Sequence, residues 1–315
     1  MPEGPRHELN QPQMTEPTSS TPPRRKPWVA ALLALFFGPV AQVYCGRLRR
    51  AIVLELLLWV VSAAAVALML YLPMGSLGLA IGIGLLVGFY LYVLVDAVRL
   101  ARNDSSETLR SYQRWWIYLA IIIANACVSE LSLGLNRRYW SESFVLNGGS
   151  MKNTLYSGDR FMIDKLPLRM RPLNRGEIVA YRTPTAPETI LCHRIVGLPG
   201  DRVEIRDEQL LINDESLAEP YALFEGELPP YEVIQNFEPQ TVPQGHYFIL
   251  GDNRRAAKDS RFDGFVPADN IVGIARIIFW SREQSISPPV NPRENPEWVT
   301  TWGPMRWDRI GQRLD

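Results

Sequence analysis

A chain of 315 residues in which 33 Lys+Arg balance 33 Asp+Glu carries no net charge at pH 7, which argues against a nucleic acid or any other polyanion as partner. Its three cysteines, Cys45, Cys127 and Cys192, lie in or beside apolar runs or in an expected strand, so no disulfide framework is implied. The hydrophobic content of 47% is concentrated before residue 136, and the length suits a membrane part followed by one sizeable soluble domain.

Residues 1–27 are rich in Pro, Glu, Gln, Ser and Thr and end in Arg24-Arg25-Lys26, the composition of a disordered cytoplasmic tail. No cleavable signal peptide is expected, because the first apolar run starts late and lacks a small-residue cleavage site. Four apolar stretches then make a transmembrane region over 28–136: Trp28–Cys45, Ala51–Leu72, Leu77–Val98 and Trp115–Leu133. The last three are long enough to cross a bilayer core, whereas Gly38-Pro39 interrupts the first. Basic residues flank stretch one (Arg24, Arg25, Lys26; Arg47, Arg49, Arg50) and separate stretches three and four (Arg99, Arg102, Arg110, Arg114), while 73–76 carries no charge. With three spans and a re-entrant or interfacial first stretch, every basic cluster faces the cytoplasm and the C-terminal domain lies outside. With four spans, two of those clusters face out and the domain lies inside. The run from Lys26 through Gly38-Pro39 to Gly46-Arg47 resembles a small two-span membrane module found fused to assorted domains, which implies anchoring rather than chemistry.

From about Arg137 the pattern changes to short apolar segments separated by Gly, Pro, Asn and Asp. Phe161–Ile163, Glu177–Tyr181, Ile190–Val196, Val203–Ile205, Leu210–Ile212, Tyr247–Leu250 and Ile271–Trp280 read as strands of an all-β domain over 137–282. A Glu- and Pro-rich excursion is expected over 215–240, and 283–315 reads as a C-terminal tail.

Chemistry concentrates in this β domain. Gly148-Gly149-Ser150-Met151 sets a serine in a glycine turn, where it is exposed and close to backbone N–H donors, as an acyl-transfer nucleophile requires. By itself such a tripeptide is most often a plain turn. His193, in Cys192-His193-Arg194, is neutral near pH 7 if its pKa is ordinary and then accepts a proton, although its alternation with Leu191 and Ile195 equally suits a core histidine. The adjacent Cys192 points to the opposite strand face, which argues against a Cys–His pair. No metal-ligand spacing and no phosphate-cradling glycine loop occurs, and no cofactor is expected.

Three segments in order carry a resemblance: Gly149-Ser150-Met151 to Gly158-Asp159, Cys192-His193-Arg194 to Gly200-Asp201, and Leu250-Gly251-Asp252-Asn253-Arg254 to Asp259-Ser260-Arg261 and Pro267. Together with Gly176-Glu177-Ile178-Val179 they resemble the type I signal peptidases, membrane-anchored serine endopeptidases of the S26 class, over roughly Phe144 to Ser281. The resemblance implies a membrane-anchored chain with an α-helical transmembrane region and an all-β peptidase domain that cleaves exported preproteins bearing signal peptides, at the lipid surface of the cytoplasmic membrane and on its outer side. It implies nothing about nucleic acid or oligomeric state. Ser150 stands at the nucleophile position. Bacterial members place a lysine base where His193 stands, while the endoplasmic-reticulum type carries histidine there. Asp259 is then the expected orienting acid, with Asp252 as runner-up, and Arg261 is expected to pair with an acid and fix the loop. Gly149, Met151, Arg194, Gly251 and Asn253 support the site.

Other positions depart from the lysine type as well: Ala257 replaces a supporting serine, Gly148 an oxyanion-binding hydroxyl, and Asn153 a proline. Lys152, Lys165 and Lys258 are alternative bases, Lys165 matching a family lysine outside the site, and His246 falls in an exposed turn. Trp140, Phe144 and Val145 are placed to rest the site on the bilayer. Two alternatives stay open here: an inactive homologue that uses the β domain for binding, and a peptidase dedicated to one secretion substrate.

Overall fold

The computed structural model describes residues 25–72, 75–103, 114–224, 236–287 and 299–314. Nearly all of the expected N-terminal tail, the middle of the 215–240 excursion and residues 288–298 lie outside the described residues.

Stretch one forms two short helices, α1 (Pro27–Phe37) and α2 (Val40–Tyr44), broken where the sequence places Gly38-Pro39. The other stretches are α3 (Leu48–Tyr71), α4 (Gly75–Asn103) and α5 (Trp115–Tyr139), each long and apolar enough to cross a membrane. Packing separates the chain into one unit of residues up to 55 with 90–122 and another of 56–89 with 123–315. In the first unit the small side chains Ala30, Ala34, Ala41, Cys45, Ala97 and Ala101 pack together, letting helix backbones approach closely. Buried Gln42 donates to Val93 O at 3.1 Å and to the Asp96 carboxylate at 3.2 Å, and Arg50 Nε meets the same carboxylate at 2.9 Å.

Among the described residues of the second unit, twelve strands form two antiparallel sheets. In chain order they are β1 (Ser141–Val145), β2 (Asp159–Asp164), β3 (Ile178–Arg182), β4 (Ile190–Gly197), β5 (Arg202–Arg206), β6 (Gln209–Ile212), β7 (Glu215–Ser216), β8 (Phe237–Thr241), β9 (His246–Leu250), β10 (Val266–Pro267), β11 (Ile271–Ser287) and β12 (Val299–Met305). The larger sheet runs β1-β2-β11-β3-β4-β9-β10 with β12 also on β11, and the smaller runs β7-β6-β5-β8. The period of two sorts side chains as the sequence implies. Ile178, Ala180 and Cys192 join one core cluster, while Val179, Tyr181 and Ile195 join another. Phe248 and Leu250 of β9 pack with Val203, Ile205, Leu210 and Ile212 of the smaller sheet. The only helices described within this β region are the single turns α6 (Pro167–Met170) and α7 (Ser260–Asp263) and two 3-10 turns.

The expected end of the β domain at residue 282 is corrected. β11 runs through to Ser287, and β12 returns antiparallel to it. The chain then recrosses β11, with Gly311 N–H donating to Ile278 O at 2.7 Å and Leu314 N–H to Arg276 O at 2.9 Å. The 283–315 segment is therefore, where described, part of the domain. Its Pro-rich connection hid a strand that gains a ladder partner only when the chain doubles back.

Candidate active site

Ser150 lies in the irregular turn between β1 and β2, half-buried, and follows Gly148, whose φ of +105° favours glycine. Such a turn has no ladder of its own, so other segments hold it. The Asn253 N–H donates to Ser150 O at 2.9 Å, and the Asn253 amide donates to Gly149 O at 3.2 Å. Met151 is fully buried, and its sulfur accepts from Asp252 N–H at 3.4 Å. The Thr154 hydroxyl donates to the Asp252 carboxylate. That carboxylate in turn receives Arg194 Nε at 2.9 Å and Nη2 at 2.7 Å, a two-pronged ion pair between buried partners. Arg194 reaches on to Gly176 O at 2.8 Å and lies 4.0 Å from the centre of the Tyr221 ring. Gly149, Met151, Arg194, Asp252 and Asn253 thus hold the turn, and both oxygens of Asp252 are engaged by Arg194 and Thr154. The Ser150 N–H donates to no other described residue.

His193 sits in β4 opposite Val179 of β3. It is 1% exposed, and its Nδ1 lies 2.9 Å from the Tyr181 hydroxyl. Tyr181 is the diagonal neighbour of His193 on the same face, since it pairs with Leu191 two residues away. Nε2 has no hydrogen-bond partner among the described residues. Burial holds the His193 pKa below its ordinary value. The Asp259 and Asp252 carboxylates oppose that shift, and the Arg261 guanidinium reinforces it.

Gly251 joins the two halves. A Cβ built on it would stand 2.3 Å from Ala257 Cβ, 2.7 Å from Ser150 O and 3.4 Å from His193 Cδ2. No side chain fits there, and the absence of one brings the serine turn, the histidine and the third motif to a single point.

The expected partnership of Asp259 with His193 is corrected. Asp259 is fully buried, caps α7 by accepting the Arg261 N–H at 3.2 Å, and receives the Arg261 guanidinium at 2.8 Å on each oxygen. Its Oδ2 also accepts from Gly251 N–H at 3.0 Å. Both oxygens are committed to the loop, and Asp259 reaches the imidazole only through space. Arg261, which also donates to Arg254 O at 2.8 Å, fixes the loop as expected. Among the alternative bases, Lys165 donates to Arg137 O at 2.5 Å and to Glu142 at 2.7 Å, Lys258 stands 3.3 Å from Asp263, and Lys152 is exposed. Cys192 packs into the opposite core, where burial raises its thiol pKa and keeps it protonated.

Two contributors escaped the sequence reading. Tyr181 is one. The other is Arg309, which meets the buried Asp159 at 2.7 Å and donates to Thr154 O at 2.7 Å, bracing the serine turn from the C-terminal segment. The aromatic and basic run Trp302–Arg309 was a visible signal, but its target was not.

Among the described residues no cluster of His, Cys, Asp and Glu is arranged to hold a metal. Residues 113–280 match a family model described as signal peptidase, peptidase S26. A probable signal peptidase I-2 from Synechocystis is 32% identical over 186 residues, covering 58% of this chain and 81% of that one. Signal peptidase I T of Bacillus subtilis is 35% identical over 182 residues, covering 56% of this chain and 90% of that one. A crystal structure of a signal peptidase I from Enterococcus faecalis is 35% identical over 33% of this chain and 97% of its own, with a TM-score of 0.27.

Proposed function

The chain belongs to the S26 family of signal peptidases and is a membrane-anchored serine endopeptidase of that type, and from this premise we propose that it removes signal peptides from exported preproteins with Ser150 as nucleophile and His193 as general base. The observation that carries the assignment is the histidine nitrogen. Nδ1 is engaged by Tyr181, while Nε2 is buried and without a hydrogen-bond partner among the described residues, and the neighbouring ring carbon Cδ2 lies, like Ser150 O, within 3.4 Å of the point where a Cβ on Gly251 would stand.

In this reading the Ser150 hydroxyl oxygen attacks the scissile carbonyl and its proton passes to His193 Nε2. The Ser150 N–H, which serves no other described residue, donates to the oxyanion. The imidazolium then returns the proton to the leaving amine. A water activated by the same nitrogen hydrolyses the acyl-enzyme. Asp259 acts at a distance, stabilising the imidazolium by charge while anchoring the loop with Arg261.

The catalytic domain, on the same proposal, lies on the extracytoplasmic side, with three spans and a cytoplasmic N-terminus. Support for that side comes from the basic residues Arg47, Arg49, Arg50, Arg99, Arg102, Arg110 and Arg114, which three spans keep in the cytoplasm; at the end of α3 the Tyr71 hydroxyl donates to Asp164 at 3.2 Å and Arg313 donates to Leu72 O at 2.9 Å. These bonds put the end of α3 beside the β domain, so the two share one face of the membrane, as they do whenever α4 and α5 both span.

The test is cleavage of a model preprotein with small residues at its cleavage site by the full chain in detergent micelles. Ser150→Ala and His193→Asn are each expected to lose at least about 10³-fold in rate while their circular dichroism stays that of the parent. Turnover that survives either change removes that residue from the mechanism.

A further inference from the structure

Resting on the assignment of His193 as base, a second question is what fixes its tautomer. An imidazole is a base at Nε2 only while its proton sits on Nδ1, and in a triad a carboxylate on Nδ1 enforces that. Here every charged group around the ring is accounted for, and none touches it. Asp259 is spent on Arg261, the α7 N-terminus and Gly251 N–H. Asp252 is spent on Arg194 and Thr154. Asp263 faces Lys258 and Thr185. Among the described residues, the one group within hydrogen-bond distance of the ring is the Tyr181 hydroxyl, 2.9 Å from Nδ1.

We propose that Tyr181 is a positioning residue for the reaction: its hydroxyl oxygen accepts the Nδ1 proton of His193, holding the proton on that nitrogen and leaving the Nε2 lone pair for Ser150. The geometry favours the role. Both side chains are 1% exposed, on one face of paired strands, and their ring centroids are 5.8 Å apart and tilted by 51°, so neither ring swings free of the other. Burial, with Asp259 nearby, pushes the Tyr181 phenol far above its ordinary pKa and keeps it a neutral hydroxyl. A neutral partner fits this buried ring. A carboxylate directly on Nδ1 would favour the imidazolium and raise the histidine pKa, whereas a hydroxyl fixes the tautomer with little demand for charge. The division of labour is then explicit: Tyr181 sets the proton's position, and Asp259 supplies field and loop structure.

The experiment uses the full chain in micelles with ¹⁵N-labelled histidine. It contains three histidines, so His193→Asn assigns the His193 signals by difference. Above the histidine pKa, the wild type is expected to show a protonated Nδ1 and an unprotonated Nε2. Tyr181→Phe is expected to lower kcat on the order of 10²-fold with KM nearly unchanged, and to move the proton to Nε2 in part or whole. A wild-type spectrum with the proton on Nε2 overturns the proposal, and so does Tyr181→Phe with parental kcat and parental nitrogen shifts. The wild-type spectrum decides alone if Tyr181→Phe does not fold. The base assignment fails separately, on retained turnover in His193→Asn. A dead His193→Asn beside a fully active Tyr181→Phe leaves the base standing and removes only the tyrosine.

Discussion

The turn that carries Ser150 and the strand that carries His193 are held by opposite means. The turn has no ladder, so it is fixed by side chains from three distant parts of the chain: Asn253 on its backbone, the Asp252–Arg194 pair on Thr154, and Arg309 on Asp159 and Thr154 O. The histidine stands on a strand whose ladder with β3 fixes the backbone without help, and its side chain has a single hydrogen bond among the described residues. One region is over-determined by polar contacts and the other nearly free of them. The difference fits the roles proposed for Ser150 and His193. A nucleophile must be aimed, which costs many contacts on an irregular backbone, whereas a buried base must keep one nitrogen unpaired, which an added contact would spoil.

The comparison is broken most strongly at its turn side. Arg309→Met leaves the fully buried Asp159 without its two-pronged partner and frees Thr154 O. Breaking a buried ion pair outright costs about 3–5 kcal/mol, and the loss here is expected to fall below that range because Arg306 stays 3.5 Å from the Asp159 carboxylate and Ser281 still donates to it. A matching fall in the thermal midpoint is expected, together with reduced kcat, while the pH dependence of the remaining activity stays parental because nothing near the imidazole has changed. Unaltered stability and rate would show that the C-terminal segment does not brace the turn. A shifted pH profile would show that the two regions are coupled rather than separately held.

The strand side is probed by pH. Burial depresses the His193 pKa in the folded enzyme, so the neutral base persists to lower pH than in a free histidine. The acid limb of kcat/KM is expected below about 6.5, the ordinary histidine value. Stability follows with a definite sign. The unfolded chain takes up the proton first, so the full contribution is present above the unfolded pKa and is lost as pH falls through the window down to the folded one. A limb at or above the ordinary histidine value, read from rates on a short preprotein, would mean that a carboxylate contacts the ring during turnover.

How much of this was legible in the sequence depended on whether a residue acts on its neighbours or across the sheet. The seven expected strands all occur, because the period-two pattern is local. The interruption of stretch one at Gly38-Pro39 was equally local. Arg261 was expected to pair with an acid, but its partner, Asp259 two residues away, had been assigned to the histidine. An Asp suits a helix N-cap as well as a triad, and only the fold of 259–263 into a helical turn decides between the two. Tyr181 required the β3–β4 register, since only the pairing Val179↔His193 sets it diagonally beside the imidazole. Arg309 required the fold-back of the C-terminal segment over β11, for which the sequence offers residues but no register.

The smallest effect sharpens the comparison from outside both regions. Lys165, the alternative base that matches a family lysine outside the site, has its Nζ shared between Arg137 O and the Glu142 carboxylate where α5 passes into β1. Its ion pair is partly open to solvent, Glu142 being 34% exposed, and such pairs contribute roughly 0–1 kcal/mol. Lys165→Met keeps the apolar stem and removes the charge. Preprotein cleavage is expected to stay within about twofold of the parent, because an ammonium committed to two acceptors outside the Ser150–His193–Gly251 contact can neither accept the serine proton nor stabilise the oxyanion. The thermal midpoint should move little. If this variant instead loses turnover with its fold intact, the base is a lysine, the open nitrogen of His193 is a feature of packing, and the contrast between an aimed turn and a spare strand no longer describes catalysis.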